Sequence, residues 1–366
     1  MSRLSPAIRH RLVTEDEVAA AVLEVYPLAR VEKFIQEIYW RRYWKSWLSL
    51  RPEVWTEFRT TLAELMRGGG GAVIARAEQG QMGNAVIDHF TRELVETGYL
   101  HNHARMWYAA WWVHEARLPW ELGAELFYKY LLDGDPASNT LSWRWVAGIQ
   151  TPGKTYLARR ENLEKYLAPE LLESLRGGLP GFENPAPLVA AGMAGTAVSR
   201  PELSQSPEVD PARPVGLWIH EDDLSPESSP AGAMEFQSIL VTGDRTGWGE
   251  MNFQKPKCDW LASATGDAVE RAGAHWKTEP ILSITSSLAE ELIRWARSNQ
   301  LSQVVTIRPE VGLLGSGIIS LSEILAVEGI RLVLIDRPRD LALRPLAIGG
   351  FFKFWEKMQK DRLWQI

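Results

Sequence analysis

At 366 residues, with 45% hydrophobic and 23% charged content, the chain has a globular composition and room for two domains. A formal charge of −6 carries none of the overall basic excess of nucleic-acid binders, so any phosphate contact has to come from a local patch. The lone cysteine, Cys258, excludes an internal disulfide and a multi-cysteine metal site, suits a reducing compartment, and reads as a small buried hydrophobe.

The opening stretch MSRLSPAIRHRLVTEDEV lacks a signal-peptide core, and no run approaches the roughly 20 apolar residues of a membrane span, so a soluble cytoplasmic chain is expected. From Thr14 to about Leu175 apolar residues recur at three and four, as in Val31, Phe34, Ile35 and Ile38, then Trp44, Trp47 and Leu48. This predicts an all-helical domain, its first helix opened by a Thr14/Glu17 capping box. Gly68 to Gly71 reads as a loop, since neither a strand before it nor a Lys-Ser/Thr after it supports a phosphate cradle. Residues 178–214 hold seven of the 21 prolines without periodicity and are read as a linker. Beyond it short apolar runs (VGLWI, SILVTG, PILSIT, QVVTI, RLVLID) alternate with helical stretches, which predicts a parallel α/β domain over 215–366. GLLGSG in this half is too short for a dinucleotide fingerprint and is expected to be a loop. The fold class is therefore α plus α/β, a helical domain over 1–177 followed by a Rossmann-like one.

Ten of the 17 tryptophans precede residue 150, either as an aromatic core or as a site that uses indoles. The densest segment is DGDPASNTLSWRW, Asp133 to Trp145. It follows the helical run ELGAELFYKYLL, so Asp133 and Asp135 are expected at a helix end, where carboxylates are disfavoured. GYLHNHARM upstream offers Arg105, Asn102 and His101 as compensation. An Asp–Arg pair beside an aromatic wall suits a planar heterocycle with hydrogen-bonding edges, though the residues alone favour a structural ion pair beneath a Trp-rich core. The histidines, His10 and His103 among them, lack a metal-ligand spacing, and no metal site is expected.

SRLSP at the start, EIYWRRYW from Glu37, GYLHNHARM from Gly98 and DGDPASNTLSWRW occur in the order and rough spacing of the flavin-binding domain of the photolyase and cryptochrome family, which most of residues 2–166 resemble. The resemblance implies FAD folded in a helical cavity whose mouth accepts a pyrimidine dimer flipped out of ultraviolet-damaged DNA. It assigns Ser2, Arg3, Leu4 and Ser5 to the FAD phosphates, and Asp133 and Asp135 to the cofactor's N–H and hydroxyl groups. Arg105 would pair with Asp133, Arg41 would contact flavin or backbone, and Asn139 would face flavin N5. Asn102 would be shared between cofactor and lesion. Glu37 would hydrogen-bond the dimer bases, Trp40 and Trp145 would stack on them, and Met106 would lie beneath; Met106 stands where relatives acting on the other ultraviolet photoproduct show a second His. A damaged pair is cheaper to flip than an intact one, and aromatic walls recover the lost stacking. Electron transfer from excited reduced flavin would split the dimer and return, without a metal.

Trp143 and Trp120 match the first two members of the family's electron chain, but the third position falls near Arg67 to Gly71, where no Trp stands. Trp107, Trp111 and Trp112 are nearby in sequence, with core packing as their other role. The family's DNA contact beyond the last Trp is replaced by GIQTPGKTYLARRENLEKY, in which Lys154, Arg159 and Arg160 offer substitute phosphate contacts or a solvated face. Arg41, Arg42, Lys45, Lys154 and Arg159 are the expected basic patch. LWIHEDDL at Leu217–Leu224 resembles the strand that opens the family's α/β domain, and GGFFKFWEKM at Gly349–Met358 the segment that closes it, so the order looks circularly permuted. The expectation is a monomeric, light-dependent cyclobutane-dimer photolyase, with a cryptochrome-type photoreceptor without repair as the alternative; the sequence leaves an antenna chromophore undetermined.

Overall fold

Strands buried on both faces need helices on both sides, and that requirement shapes the carboxyl-terminal part of the chain. The computed structural model describes residues 2–151, 154–188, 198 and 208–361. Two compact units emerge, residues 1–52 with 198–366, and residues 53–197.

In the first unit three helices lead, α1 (Ser5–Arg9), α2 (Glu15–Val25) and α3 (Leu28–Ser49). The Thr14/Glu17 capping box is present, with Glu17 N donating to Thr14 Oγ1 at 3.2 Å and Thr14 N donating to Glu17 Oε2 at 2.7 Å; it opens the second helix, because the short α1 precedes it. The second unit holds α4 (Glu53–Leu65), α5 (Gly71–Glu78), α6 (Ala85–Thr97), α7 (Asn102–Ala110), α8 (Trp120–Tyr130), α9 (Pro136–Val146), α10 (Arg160–Tyr166) and α11 (Pro169–Ser174). The expected loop at Gly68–Gly71 is instead a kink within helical chain, at which Gly69 takes φ +97°, a conformation open to glycine at little cost. The expected linker begins as ordered chain, a 3₁₀ turn over Arg176–Phe182, while its stretches 189–197 and 199–207 lie outside the described residues.

The chain then re-enters the first unit, where all five expected strands form: β1 (Val215–His220), β2 (Ser238–Asp244), β3 (Ile281–Thr285), β4 (Gln303–Ile307) and β5 (Arg331–Ile335). They are parallel in the order β3-β2-β1-β4-β5, with Leu217 in register with Ile239 on one side and Val305 on the other. Helices α12 (Arg245–Glu250), α13 (Lys255–Trp276), α14 (Leu288–Ser298), α15 (Leu313–Val327), α16 (Pro338–Leu343) and α17 (Phe351–Lys360) intervene or follow. Alternate strand residues serve opposite faces. Leu217, Ile239, Val305 and Val333 pack with Ala264, Ala268 and Ala272 of α13, whereas Trp218, Leu240, Val304 and Leu332 pack with Leu292 and Trp295 of α14 and Leu321 and Leu325 of α15. GLLGSG is not the expected loop: Gly312 caps α15 and Leu313 begins it.

The leading helices were expected with the helical segment, but they share a unit with the sheet, and buried charge explains why. Leu12 packs against the Leu217/Ile219 side of the sheet. Arg11 reaches Asp223 at 3.0 Å and Asp340 at 2.8 Å, Arg42 bonds Glu15 at 2.8 Å and also pairs with Asp340, and Arg337 grips both oxygens of Asp223 at 2.7 Å. Burial alone would raise the Glu15 carboxyl, but Arg42, Lys45 and Arg11 override it and hold it at about 2.

Next to this network burial pushes the Glu221 carboxyl up to about 8, against the opposing donation from Trp248 Nε1 at 2.7 Å and with help from Asp222 and Asp244. A folded value raised from the ordinary 4.5 means stability that is full below 4.5 and is lost as pH rises through about 8. Glu221→Gln keeps an acceptor for Trp248 and removes that titration. The difference in melting temperature between variant and parent should therefore grow in the variant's favour from pH 4.5 to 8; parallel melting profiles across that window would refute the assignment.

Candidate cofactor and substrate site

The site-bearing segments each have a local reason for their geometry. Asp133 and Asp135 flank Gly134 in the five-residue connection between α8, which ends at Tyr130, and α9, which begins at Pro136. Asp133 is 4% exposed, and its Oδ2 accepts from Arg105 Nη1 at 3.0 Å, so the expected pair forms. Arg105 is fixed further by Nε donation to the Leu100 carbonyl at 2.8 Å. Asp135 does not sit at the carboxyl end of the preceding helix. It is the N-cap of α9, with Oδ1 accepting from Ala137 N at 2.7 Å and Ser138 N at 2.9 Å and Pro136 in the first turn. A carboxylate there satisfies free amides and complements the helix dipole, so it needs no cation.

Within α9, Asn139 is 9% exposed and donates Nδ2 to the Ala124 carbonyl of α8 at 2.8 Å, which fixes the amide's orientation. Ser138 Oγ and Thr140 Oγ1 are buried with no hydrogen-bond partner among the described residues. Such orphaned oxygens are what a bound polar group satisfies. Trp143 is 2% exposed and lies edge-on to Phe127 and Trp112, at centroid distances of 5.1 and 6.3 Å. It fits because α8 carries Gly123 opposite, where a Cβ would lie 2.3 Å from the indole. Trp145, half-buried, stacks on Tyr156 at 5.7 Å, and Trp120 stacks on Phe58 at 5.4 Å. Of the nearby alternatives, Trp107 bonds Asn162 and stacks on His103, Trp111 is buried, and Trp112 is wholly buried beside Trp143. On α7, exposed Asn102 lies one turn before half-buried Met106, with Nδ2 3.8 Å from its sulfur.

The first unit carries the remaining expected residues. Ser2 and Arg3 are exposed, Leu4 and Ser5 half-buried, and Arg3 has a left-handed backbone at φ +53°. On α3, Glu37 is exposed and Arg41 half-buried. Trp40 lies face to face with Phe351 of α17 at 3.9 Å and 12°, so one face of its ring is covered. The basic patch is smaller than expected. Arg42 and Lys45 are 2% and 3% exposed on the inner side of α3, where Arg42 is paired, so neither presents a surface cation. Arg160 pairs with Glu164 and Glu183, which leaves Lys154 and Arg159 exposed in the second unit.

Sequence reasoning passed over three features: Ser138, Gly123, and the meeting of Arg9, His10 and Arg11 with the loop after β1. The last had a visible signal, since RHR and EDD are complementary runs; the other two depend on what faces them across helices. No cluster of three or more His, Cys, Asp or Glu able to hold a metal occurs among the described residues, and no helix among them is long and apolar enough to cross a membrane.

Residues 34–166 match the family model of the FAD binding domain of DNA photolyase. The chain is similar to the deoxyribodipyrimidine photo-lyase of Streptomyces griseus, 31% identical over 185 residues, which is 47% of this chain and 40% of that one. It is also similar to those of Alkalihalophilus pseudofirmus, 27% identical over 157 residues (42% of this chain, 33% of the relative), and Escherichia coli, 28% over 126 (34% and 26%). The chain thus spans 40% or less of the length of these three relatives.

A methyl group at position 123 has nowhere to go, because the Trp143 ring is hemmed in by Phe127 and Trp112. Gly123→Ala should destabilise the second unit by about 1–3 kcal/mol, the usual cost of overpacking, and alter the fluorescence of the buried indole. A denaturation midpoint equal to the parent's would mean that α8 and α9 do not approach this closely.

Proposed function

Residues 34–166 belong to the FAD-binding domain of the DNA photolyase family, whose cofactor is FAD, and from that premise we propose that this chain repairs cyclobutane pyrimidine dimers in DNA under light. The observation that carries the proposal is the buried Asp133 held by Arg105 at 3.0 Å inside the matched segment, with Asn139 and the unsatisfied Ser138 oxygen on the helix that follows it. This donor and acceptor set fits a flavin's hydrogen-bonding edge. When bound and reduced, the flavin supplies light-driven, redox-neutral electron transfer.

The protein's share is to bind, orient and exclude water. Asp133 accepts from the cofactor's N–H groups, with its charge balanced by Arg105, while Asp135 caps α9 and meets the cofactor's hydroxyl groups. Asn139 meets flavin N5 with its amide, already oriented by Ala124. Ser2, Arg3, Leu4 and Ser5 take the phosphates, and Arg41 lies beside the cofactor or the DNA backbone. Trp143 and Trp120 are the electron relay. Glu37 and Asn102 hydrogen-bond the flipped bases, and Trp40, Trp145 and Met106 enclose them. The LWIHEDDL and GGFFKFWEKM resemblances support a permuted order, with the α/β part last. The second reading is photoreception without repair, in which the same flavin site operates and the face carrying Glu37, Trp40, Met106 and Trp145 takes no lesion.

The deciding experiment is repair of dimer-containing oligonucleotides in blue light and in darkness, with the absorption spectrum of the same preparation. A flavin spectrum with light-dependent repair is expected; a flavin spectrum without repair selects the photoreceptor. Trp145→Ala and Glu37→Ala should keep the flavin and lose repair, with dimer binding weakened about tenfold or more in Trp145→Ala, since a stacked base contributes about 1–3 kcal/mol. Parent-like repair by both variants would place the lesion elsewhere. Binding should also fall with salt despite the acidic chain, and Lys154→Ala with Arg159→Ala should flatten the logarithmic slope by about 1 per lost phosphate contact; an unchanged slope removes these two residues from the DNA face.

A further inference from the structure

Two short charged runs, far apart in sequence, meet in the first unit. Arg9 Nη2 donates to Asp222 Oδ1 at 2.7 Å, His10 Nδ1 lies 2.5 Å from the Glu221 carbonyl, and Arg11 Nη1 donates to Asp223 Oδ2 at 3.0 Å. Leu224 N closes the set by donating to the His10 carbonyl at 3.0 Å. RHR at 9–11 is thus clamped to EDD at 221–223, immediately after β1. The contacts are largely dry: Arg9, His10 and Arg11 are 6%, 3% and 2% exposed and Asp223 is 3% exposed, while the Asp222 side chain is 12% exposed. Burial alone would raise the Asp222 carboxyl, but Arg9 overrides it and holds it below the ordinary range, so the pair stays ionised near neutrality. Burial keeps His10 neutral, at about 3, which removes a third cation from the cluster.

The clamp matters because of what precedes it. Helix α1 is five residues long, and isolated helices below about 12–15 residues are marginal in water, so it cannot hold its own direction. Arg9 is its last residue. Arg11 just beyond has a left-handed backbone at φ +52°, a costly conformation that persists where surrounding contacts over-determine it, here the carboxylates of Asp223 and Asp340. Fixing residues 9–11 therefore fixes the course of α1 and, through Pro6 and Ser5, the approach of Ser2–Leu4.

We infer that Asp222 and Asp223 are positioning residues for the cofactor's phosphate segment, so that the loop after β1 sets how tightly FAD is held without touching it. The inference rests on the proposed assignment of Ser2–Ser5 to the FAD phosphates. It makes the α/β part a structural requirement of flavin binding.

The test uses the full-length holoprotein with Arg9→Gln, Asp222→Asn, the double variant and Arg9→Lys, with far-ultraviolet circular dichroism to check folding. Arg9→Gln and Asp222→Asn should each raise the FAD dissociation constant about tenfold, and the double variant should be little worse than either, as for partners in one contact. Arg9→Lys should recover most of the affinity. The phosphorus resonances of the FAD that remains bound should shift in the two single variants, while the flavin absorption bands keep their shape. Parent-like affinity and phosphorus resonances in every variant would overturn the inference. So would additive losses with unchanged resonances, which mark a general loosening. A parent that binds no FAD would instead remove the assignment of Ser2–Ser5 on which this rests.

Discussion

Six buried charges run in a line through the first unit, from Glu15 through Arg42, Asp340, Arg11 and Asp223 to Arg337, and each inner member has an opposite charge on either side. Their exposure is 7% or less. A single charge taken out of water costs several kcal/mol, and a pair recovers that cost only when geometry and hydrogen bonds are good. Here recovery is shared along the line, so removal of any one member strands its neighbours. The members come from α2, α3, α16, the turn after α1 and the loop after β1, which are dispersed over more than 300 residues of sequence. The line therefore requires the beginning and the end of the chain to fold as one body.

Aromatic packing supplies what charge does not. Along α3, Trp40 stacks on Phe351, Tyr43 meets Phe354 and Tyr39 meets Trp355, while Tyr43 Oη donates to the Gly349 carbonyl at 2.8 Å. The closing segment GGFFKFWEKM is thus bound to the same helix that carries Glu37, Trp40 and Arg41. In the second unit the indoles are similarly employed. Trp143 and Trp112 form a wall against α8, and only glycine at 123 lets the helices come close enough. Large indoles are costly to leave wet and rewarding to bury, which explains how one cluster of Trp can be both core and the lining of a site.

The five strands and most of the helices were legible because their periods, two and 3.6, are written in adjacent residues. The Asp133–Arg105 pair was legible because two residue types with complementary chemistry stood near a break in helical pattern. Asp135 was placed at the end of the preceding helix, since a connection of five residues between α8 and α9 leaves little in the local pattern to separate the end of one helix from the cap of the next. Gly68–Gly71 and GLLGSG were misread for a related reason: glycine weakens a helix locally, and neighbours across the fold decide whether the helix continues.

The sequence alone determined the strand and helix content, the parallel α/β character of the carboxyl-terminal part, and the motifs that match a flavin-binding domain, all of which depend on residues close together along the chain. Tertiary structure decided the rest. Whether Arg42 and Lys45 face DNA or the interior, whether the first fifty residues belong with the helices or the sheet, and which partners hold Arg9 and Arg11 depend on where charges more than 200 residues apart come to lie. A lone arginine in sequence is as good a phosphate contact as a buried partner. Only the desolvation of its surroundings and the arrival of Asp223 and Asp340 beside it settle which it becomes.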